Sequence, residues 1–561
     1  MKHARHVLLT PLLALLPACS SPFDQSKEEL AMLRERLEVI HGSSLEEKSI
    51  SKPVTPEEAG DQMLAEMKAR LAGASTQPAA ASVNLSLADV RAASLSNNLD
   101  LKVDFLNPAI AQAQTDAERA KFEATFTAAA RRIITDAPTA LGTEGSQALT
   151  DIYDVGVNLP LRTGGTASVS APLNDTRTNN PFSLLNPAYE ADLQFSITQP
   201  LLRNAGVETS EYSIYIAQQQ ENVTWAETKL EAIRILADAD KAYWFLYAAR
   251  RELVVRQQQY DLALSQLEQA RHRVAAGDLA EIEIRRAESG AASQLQQIIV
   301  ADTNVKRAQR DLKRILHRDD LPINGPTEIL TMTEPSPLGL DLDGNALAIE
   351  AIANRMEMLE LELQLAMDAS TIRFQKNQAL PLVVLDYTYT INGLGSSYGR
   401  ATDSWPDRSF EDHNVGIRAE IPIGNEAAEA RVQEAIMRRL QRLATRSQRE
   451  SSIRQEVFDA LDQLQQAWQS ILAARQETVL AARTLEGERR QFDLGLRTST
   501  DVLLASANLA DAQSREVQAL SDYETAKIDI AFATGTLLGQ SNIRWETYAS
   551  DPPPAPPARQ E

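Results

Sequence analysis

Two long stretches of the chain carry an apolar residue at every seventh position. The first stretch contains neither Gly nor Pro from residue 207 to residue 276, and as a helix it would be roughly 100 Å long. A sustained period of seven predicts helices that supercoil on one another. The first series is Leu246, Leu253, Tyr260, Leu267 and Val274, followed after Gly277 by Ile284, Ala291, Ile298, Val305 and Leu312.

The same arrangement recurs 218 positions later in the sequence. Leu246 then corresponds to Leu464, and Gly277 corresponds to Gly495. The later series is Val457, Leu464, Ile471, Thr478, Leu485 and Phe492 before Gly495, with Val502, Leu509, Tyr523, Ile530 and Leu537 after it. We therefore infer an internal duplication of a helical hairpin with a glycine at each tip.

The two glycines mark turns, since a glycine in a helix interior costs about 1 kcal/mol relative to alanine. A left-handed residue without a Cβ allows the first helix of each hairpin to end. Thr498, Ser499 or Thr500 can cap the next helix, and Asp501 lies in its first turn. A negative charge is favoured there by the helix dipole.

Short segments upstream of each long helix alternate apolar and polar residues. They are residues 193–197, closed by Pro200, and residues 415–421, closed by Pro422. Such alternation predicts strands with one apolar face. Candidate partner strands are residues 124–135 in the first repeat and 382–391 in the second. An extra hairpin around Gly164 and Gly165 is also possible, and the sequence does not place it inside or outside a membrane.

Each repeat, at residues 86–325 and 340–540, therefore runs helix, strand, strand, long helix, tip, long helix. The fold class is mainly α with membrane β. Four strands per chain cannot close a barrel, because small barrels need about eight strands. If the strands lie in a membrane, several chains must share one barrel.

The N-terminus has the pattern of a secreted lipoprotein. Lys2 and Arg5 precede an apolar run that is too short to span a bilayer. The run ends in Leu-Pro-Ala-Cys at residues 16–19, which resembles a bacterial lipobox, and Ser20 then resembles an outer-membrane destination signal. We predict a signal peptide at residues 1–18 and a lipid on Cys19, the alternative being an ordinary signal peptide. A flexible lead at 19–85 and a proline-rich tail at 541–561 complete the chain.

Charge and composition exclude several function classes. The formal net charge is -21 and no Lys/Arg cluster is present, which argues against nucleic acid as a partner. Cys19 is the only cysteine, so no internal disulfide can form. The six histidines show no metal-ligand spacing, and no nucleophile or phosphate-binding motif occurs. We predict a protein that is not an enzyme and has no cofactor or metal, apart from the covalent lipid.

Residues 86–540 resemble the TolC family of outer-membrane efflux proteins. The resemblance rests on the duplicated topology, the strand-ending QPLL and IPIG segments, and the tip sequences VAAGDLAEIEI and FDLGLRTSTDVL. It implies a homotrimer with a twelve-stranded β-barrel in the outer membrane, continued by a long periplasmic α-helical barrel. Such a channel passively conducts drugs, metals or proteins from a periplasmic adaptor and an inner-membrane pump to the exterior.

The resemblance also implies roles for residues at the tips. Asp501 and Glu283 match positions of a carboxylate ring that favours cations at the periplasmic gate, although Leu504 replaces a second family aspartate. Arg497 matches a latch residue whose expected acceptor lies near Glu283, and Phe492 replaces a latching tyrosine. The turn residues expected to contact the adaptor are Gly277, Asp278, Gly495 and Leu496.

Two structural alternatives remain open at the sequence level. Asp501 and Glu283 would suit the first turn of any helix, and Arg497 could be a solvated surface residue. The whole chain could also be a lipid-anchored coiled-coil tether that spans the periplasm. The alternating strand segments disfavour a tether, because it would not need them.

Overall fold

The computed structural model describes residues 82–139 and 145–544. The predicted signal peptide, Cys19 and the tail from residue 545 lie outside the described residues. Of the lead predicted at residues 19–85, only the last four residues are described. They form strand β1 (Ser82–Leu85), which pairs in parallel with β7 (Glu328–Thr331). The flexible assignment is wrong for these four residues, because Leu85 packs into the helical core and is buried.

Two long helical hairpins dominate the described part of the chain. In the first hairpin, helix α5 (Tyr212–Ala275) has 64 residues and α6 (Ile282–Leu316) has 35. In the second, α10 (Glu426–Asp493) has 68 residues and α11 (Ser499–Ala533) again has 35. The ends of α5 and α10 are 218 positions apart, as the duplication predicts. The long helix predicted from residue 207 is interrupted once, since a short α4 (Val207–Ser210) precedes α5.

Shorter helices open each repeat, as predicted. The first repeat has α1 (Leu87–Asn97), α2 (Leu99–Asp104) and α3 (Leu106–Arg119). The second has α7 (Gly344–Asn354) and α8 (Met356–Gln378). A short α12 (Leu537–Gln540) follows the second hairpin.

The seven-residue series lie inside the helical packing. Leu246, Leu312 and Val457 are fully buried, and none of the series is exposed. One core cluster joins α5, α6 and α1 with the end of α11, and a second joins α10, α11 and α7. The heptad prediction is therefore confirmed. No helix in the described ranges combines the length and apolar character needed to cross a membrane.

One antiparallel sheet lies at the end of the long hairpins that is opposite their tips. Its main path runs in the order β10-β8-β6-β4-β3-β2. These strands are β2 (Thr125–Asp136), β3 (Gln147–Pro160), β4 (Thr166–Thr178), β6 (Leu193–Pro200), β8 (Leu382–Ile391) and β10 (Glu411–Glu420). Two short strands, β5 (Ala188–Ala191) and β9 (Leu394–Gly395), and helix α9 (Tyr398–Thr402) lie at its margin.

The strand pairing corrects one prediction and confirms another. In the second repeat, residues 382–391 pair with β10 as expected. In the first repeat, residues 124–135 do not pair with the strand at 193–197. Their strand, β2, pairs with β3, and β6 lies between β4 and β8. The hairpin around Gly164 and Gly165 does form, and it separates the two strands that were expected to be partners. The described sheet thus has six long strands where four were predicted.

Candidate functional site: the tips of the two helical hairpins

The two tips turn through the same backbone geometry. Gly277 has φ +84° and Gly495 has φ +76°, both in the left-handed region. The N–H of Gly277 donates to the Val274 carbonyl at 3.0 Å, and the N–H of Asp278 donates to Arg273 at 2.8 Å. In the second tip, the N–H of Gly495 donates to the Phe492 carbonyl and the N–H of Leu496 donates to the Gln491 carbonyl, each at 2.9 Å. Both are Schellman turns, which satisfy the last carbonyls of a helix. The turn positions predicted from the sequence are confirmed.

The sequence allowed Thr498, Ser499 or Thr500 as the cap of α11, and the structure shows that the cap is Thr498. Its backbone N–H donates to Asp501 Oδ2 at 3.0 Å, and the N–H of Asp501 lies 3.4 Å from Thr498 Oγ1. This reciprocal arrangement is a capping box. The hydrogen bonds from the Thr498 backbone and side chain, with the nearby Arg497 charge, hold the pKa of Asp501 below its usual value of 3.8. Asp501 is therefore a solvent-accessible carboxylate that stays ionised at neutral pH.

Glu283 lies in a buried position between the two hairpins. It accepts a short hydrogen bond from Ser499 Oγ, at the start of α11, and forms an ion pair of 2.7 Å with Arg286 one turn along α6. Glu283 is 9% exposed and Ser499 is 5% exposed. The sequence places Glu283 and Asp501 at equivalent positions of the repeats, but the structure gives them different surroundings. Within one chain, the charge of Glu283 is balanced by Arg286 and is largely out of solvent.

Arg273 connects the two tips at the ends of their first helices. Its Nη1 donates to the Phe492 carbonyl at 3.3 Å, and its guanidinium lies 5.0 Å from the centre of the Phe492 ring. Phe492 is buried with Leu485, Val502 and Ala505 in a small core near the tip. The residue that replaces the expected tyrosine thus makes a cation–π contact.

Arg497 stays within its own hairpin. Its Nε lies 3.1 Å from Gln491 Oε1 and 3.3 Å from Glu488 Oε2, both on α10. The acceptor expected near Glu283 is therefore not its partner within the chain. Next to it, Leu496 is 72% exposed and Leu504 is 61% exposed. The tip therefore presents exposed apolar side chains in the single chain.

The sequence predicts the turns and the carboxylates but not most of the side chains that contact them. Those side chains are Arg273, Arg286, Glu488 and Gln491. Arg286 lies three residues after Glu283, a spacing at which oppositely charged side chains of a helix are neighbours, so the sequence is sufficient to predict this ion pair. The sequence does not predict the contact between Arg273 and Phe492, because those residues are 219 positions apart. In the described ranges, no group of three or more His, Cys, Asp or Glu side chains is placed to hold a metal ion.

Comparison with known proteins shows what the chain resembles. A family model described as "Outer membrane efflux protein" matches residues 347–536, which span most of the second repeat. This part of the chain resembles the outer membrane efflux protein family. The duplicated hairpins and the strands at their base accord with this resemblance.

Curated relatives and solved structures resemble the chain over much of its length. It is 24% identical to outer membrane protein TolC of Escherichia coli over 328 residues, which is 57% of this chain. The chain spans 64% of the length of that relative. The solved structure of CusC superposes with a TM-score of 0.60 at 16% identity, over 82% of this chain and 95% of CusC. The CmeC outer membrane channel of Campylobacter jejuni superposes with a TM-score of 0.59 at 14% identity, over 80% of this chain and 86% of CmeC.

Proposed function

We propose that the chain is one subunit of a homotrimeric channel in the cell outer membrane. The channel passively conducts substrate to the exterior from a periplasmic adaptor and an inner-membrane pump. The observation that carries this proposal is the combination of two long hairpins with a sheet whose two edge strands, β2 and β10, pair with no further strand of the described chain. Open edges of this length call for partner strands, and three copies arranged in a ring supply them.

In this assembly the helical hairpins form the periplasmic barrel and the sheets form the membrane β-barrel. The family resemblance implies twelve strands, four from each of three chains, whereas each described sheet has six long strands. A lipid on Cys19 would anchor the N-terminal segment to the inner leaflet of the outer membrane. The anchor is testable because Cys19→Ser should abolish palmitate incorporation, while wild-type protein should be labelled.

The tips are the proposed gate and adaptor contact. Asp501 supplies an ionised carboxylate that would favour cations where the trimer narrows. Gly277, Asp278, Gly495 and Leu496 form the turns that would face the adaptor, and Leu496 offers exposed apolar surface. Arg497 adds a positive charge beside them, engaged with Glu488.

Single-channel recording in a planar bilayer tests the proposal. Wild-type trimer should show discrete, cation-selective openings. Asp501→Asn removes the charge but keeps an acceptor for the cap, so it should lower cation selectivity. Thr498→Ala is the matched control, because it breaks the cap and leaves the carboxylate in place. A lipidated, trimeric sample without any conductance would overturn the proposal and support a periplasmic tether.

A further inference from the structure

The six long strands alternate apolar and polar residues in common rows. A row here means the residues that oppose one another across the sheet, one from each strand. One row is Phe126, Val157, Val169, Phe195, Tyr389 and His413. A second apolar row has no member on β2 and consists of Leu159, Ala167, Ile197, Tyr387 and Val415. All members except His413 are apolar or aromatic, so the apolar character crosses the hairpin β3–β4 without interruption.

The rows that alternate with them are polar or small. One is Thr127, Gly156, Ser170, Gln194, Thr390 and Asp412, and the other is Thr125, Asn158, Ser168, Ser196, Thr388 and Asn414. Since successive residues of a strand point to opposite faces, the sheet has one apolar face and one polar face. A lipid-facing barrel wall requires this alternation.

The hairpin β3–β4 extends over the same height as the other strands. Its turn at residues 161–165 lies where β6 leads into the helices. There Arg162 forms an ion pair of 2.9 Å with Glu211, and the N–H of Gly206 donates to the Thr163 carbonyl at 3.0 Å. The loops at the opposite end of the sheet are longer. Short turns on one side and long loops on the other are typical of outer-membrane barrels.

A charged cluster bounds the apolar face at the end with the long loops. Arg132 pairs with Asp151 at 2.6 Å, and Arg177 pairs with Asp175 at 3.1 Å. All four side chains belong to one region of the apolar face by register. Asp151 lies eight residues from Leu159 along β3, or about 27 Å along the strand. With a strand tilt of about 40° this length corresponds to a height of roughly 20 Å, which is of the same order as the apolar band of about 25 Å in known barrels.

The two free edges of the sheet are compatible with one another. The path has an even number of antiparallel strands, so β2 and β10 run in opposite directions. Every residue of β2 is exposed, and so are nine of the ten residues of β10. The β10 edge of one copy can therefore continue the antiparallel sheet along the β2 edge of the next.

We propose that the β3–β4 hairpin is part of the membrane wall. Each chain then contributes six strands and the trimer closes an eighteen-stranded barrel, with acyl chains covering the apolar face and a second copy of the chain on each edge. This inference rests on the trimeric channel proposed above. Barrel diameter grows roughly linearly with strand number, so the pore wall would be about 1.5 times as wide as that of a twelve-stranded barrel.

Single-cysteine variants of the full chain in outer-membrane vesicles test the location of the hairpin. Val157→Cys and Val169→Cys lie in an apolar row, and Ser168→Cys and Ser170→Cys lie in the polar rows. A charged, membrane-impermeant thiol reagent should label the two serine positions. It should label the two valine positions about tenfold more slowly or worse, because an apolar environment disfavours the thiolate. The wild-type protein reports any background from Cys19.

The same pattern on β6 provides the reference, since that strand belongs to the wall in either strand count. Ile197→Cys should behave like the valine positions, and Ser196→Cys like the serine positions. A fluorophore on Val169→Cys should also be quenched by a lipid-borne quencher. If all four hairpin positions are labelled equally and quenching is absent, the hairpin lies outside the wall and the proposal is wrong.

Disulfide cross-linking separates this inference from the trimer itself. A cysteine at Thr127 combined with a scan of cysteines along the polar face of β10 should produce covalent links between copies. Absence of all such links would overturn the trimeric barrel whatever the hairpin does. A link within one chain between Thr127→Cys and a cysteine on β6 would mean that these strands are neighbours, and would overturn the six-strand count alone.

Discussion

Ser499 donates a hydrogen bond to Glu283, and both side chains are buried between the two helical hairpins. The donor is the first residue of α11 and the acceptor lies in the first turn of α6. The bond therefore joins the starts of the two helices that leave the tips. Any movement of one tip away from the other must break it.

Ser499→Ala tests this connection. The change leaves one oxygen of a buried carboxylate without its donor, which costs about 1 to 3 kcal/mol. Hydrogen–deuterium exchange of amides near the tips should therefore be about 5- to 150-fold faster. Thr500→Ala is the control, because Thr500 is exposed and adjacent. Equal exchange rates in both variants would mean that the bond does not hold the tips together.

The charge of Asp501 should make cation selectivity depend on pH. The folded-state pKa lies below 3.8, so the carboxylate stays ionised from neutral pH down to that value. Its contribution to tip stability is present above pH 3.8 and is lost as pH falls through the lower folded pKa. Reversal potentials should thus stay constant from pH 7 to about 4 and decline only below that range. Asp501→Asn should lack this decline, and a loss of selectivity near pH 6 would assign it to another group.

The contact between Arg273 and Phe492 should be measurable as a coupling energy. Arg273→Ala removes both the cation–π contact and the hydrogen bond to the Phe492 carbonyl, whereas Phe492→Leu removes only the aromatic face. The free energy of local opening at the tip can be measured by hydrogen–deuterium exchange. A double-mutant cycle on this free energy should give a coupling of about 0.5 to 1 kcal/mol between Arg273 and Phe492. Arg271→Ala is the control, since Arg271 pairs with Glu268 and Glu288 of its own hairpin. Coupling of Arg271 to Phe492 as large as that of Arg273 would contradict a specific contact.

Alanine at the tip glycines should destabilise the turns. Gly495→Ala places a Cβ at φ +76° and should cost about 1 kcal/mol or more, although no neighbouring atom lies within 4 Å. Gly487→Ala in helix α10 also meets no neighbouring atom, and it should stabilise the helix by about 1 kcal/mol. Thermal denaturation followed by circular dichroism should shift in opposite directions for the two variants. Shifts of the same sign would show that the left-handed backbone conformation at Gly495 does not determine the stability of the turn.

Local pattern accounts for most of the fold that the sequence predicted. The seven-residue series specifies which helix faces are buried, and Leu246 and Val457 are fully buried as a result. Gly277 and Gly495 terminate helices because a left-handed backbone is accessible to glycine at little cost. Two-residue alternation marks β6 and β10 as strands. These signals lie within a few turns or a few residues of one another, so a linear sequence is sufficient to display them.

Partner choice depended on the tertiary structure. The alternation in residues 124–135 predicts a strand but does not indicate which strand it pairs with. It pairs with β3, because the β3–β4 hairpin occupies the edge of β6. Glu283 and Asp501 are equivalent in the duplicated sequence. Glu283 is buried against Ser499 of the other hairpin, whereas Asp501 is solvent-accessible and accepts its hydrogen bonds from Thr498 of its own hairpin. Contacts between segments more than 200 residues apart depend on which surfaces pack together in the fold. The local periodicity of the sequence does not specify which surfaces these are.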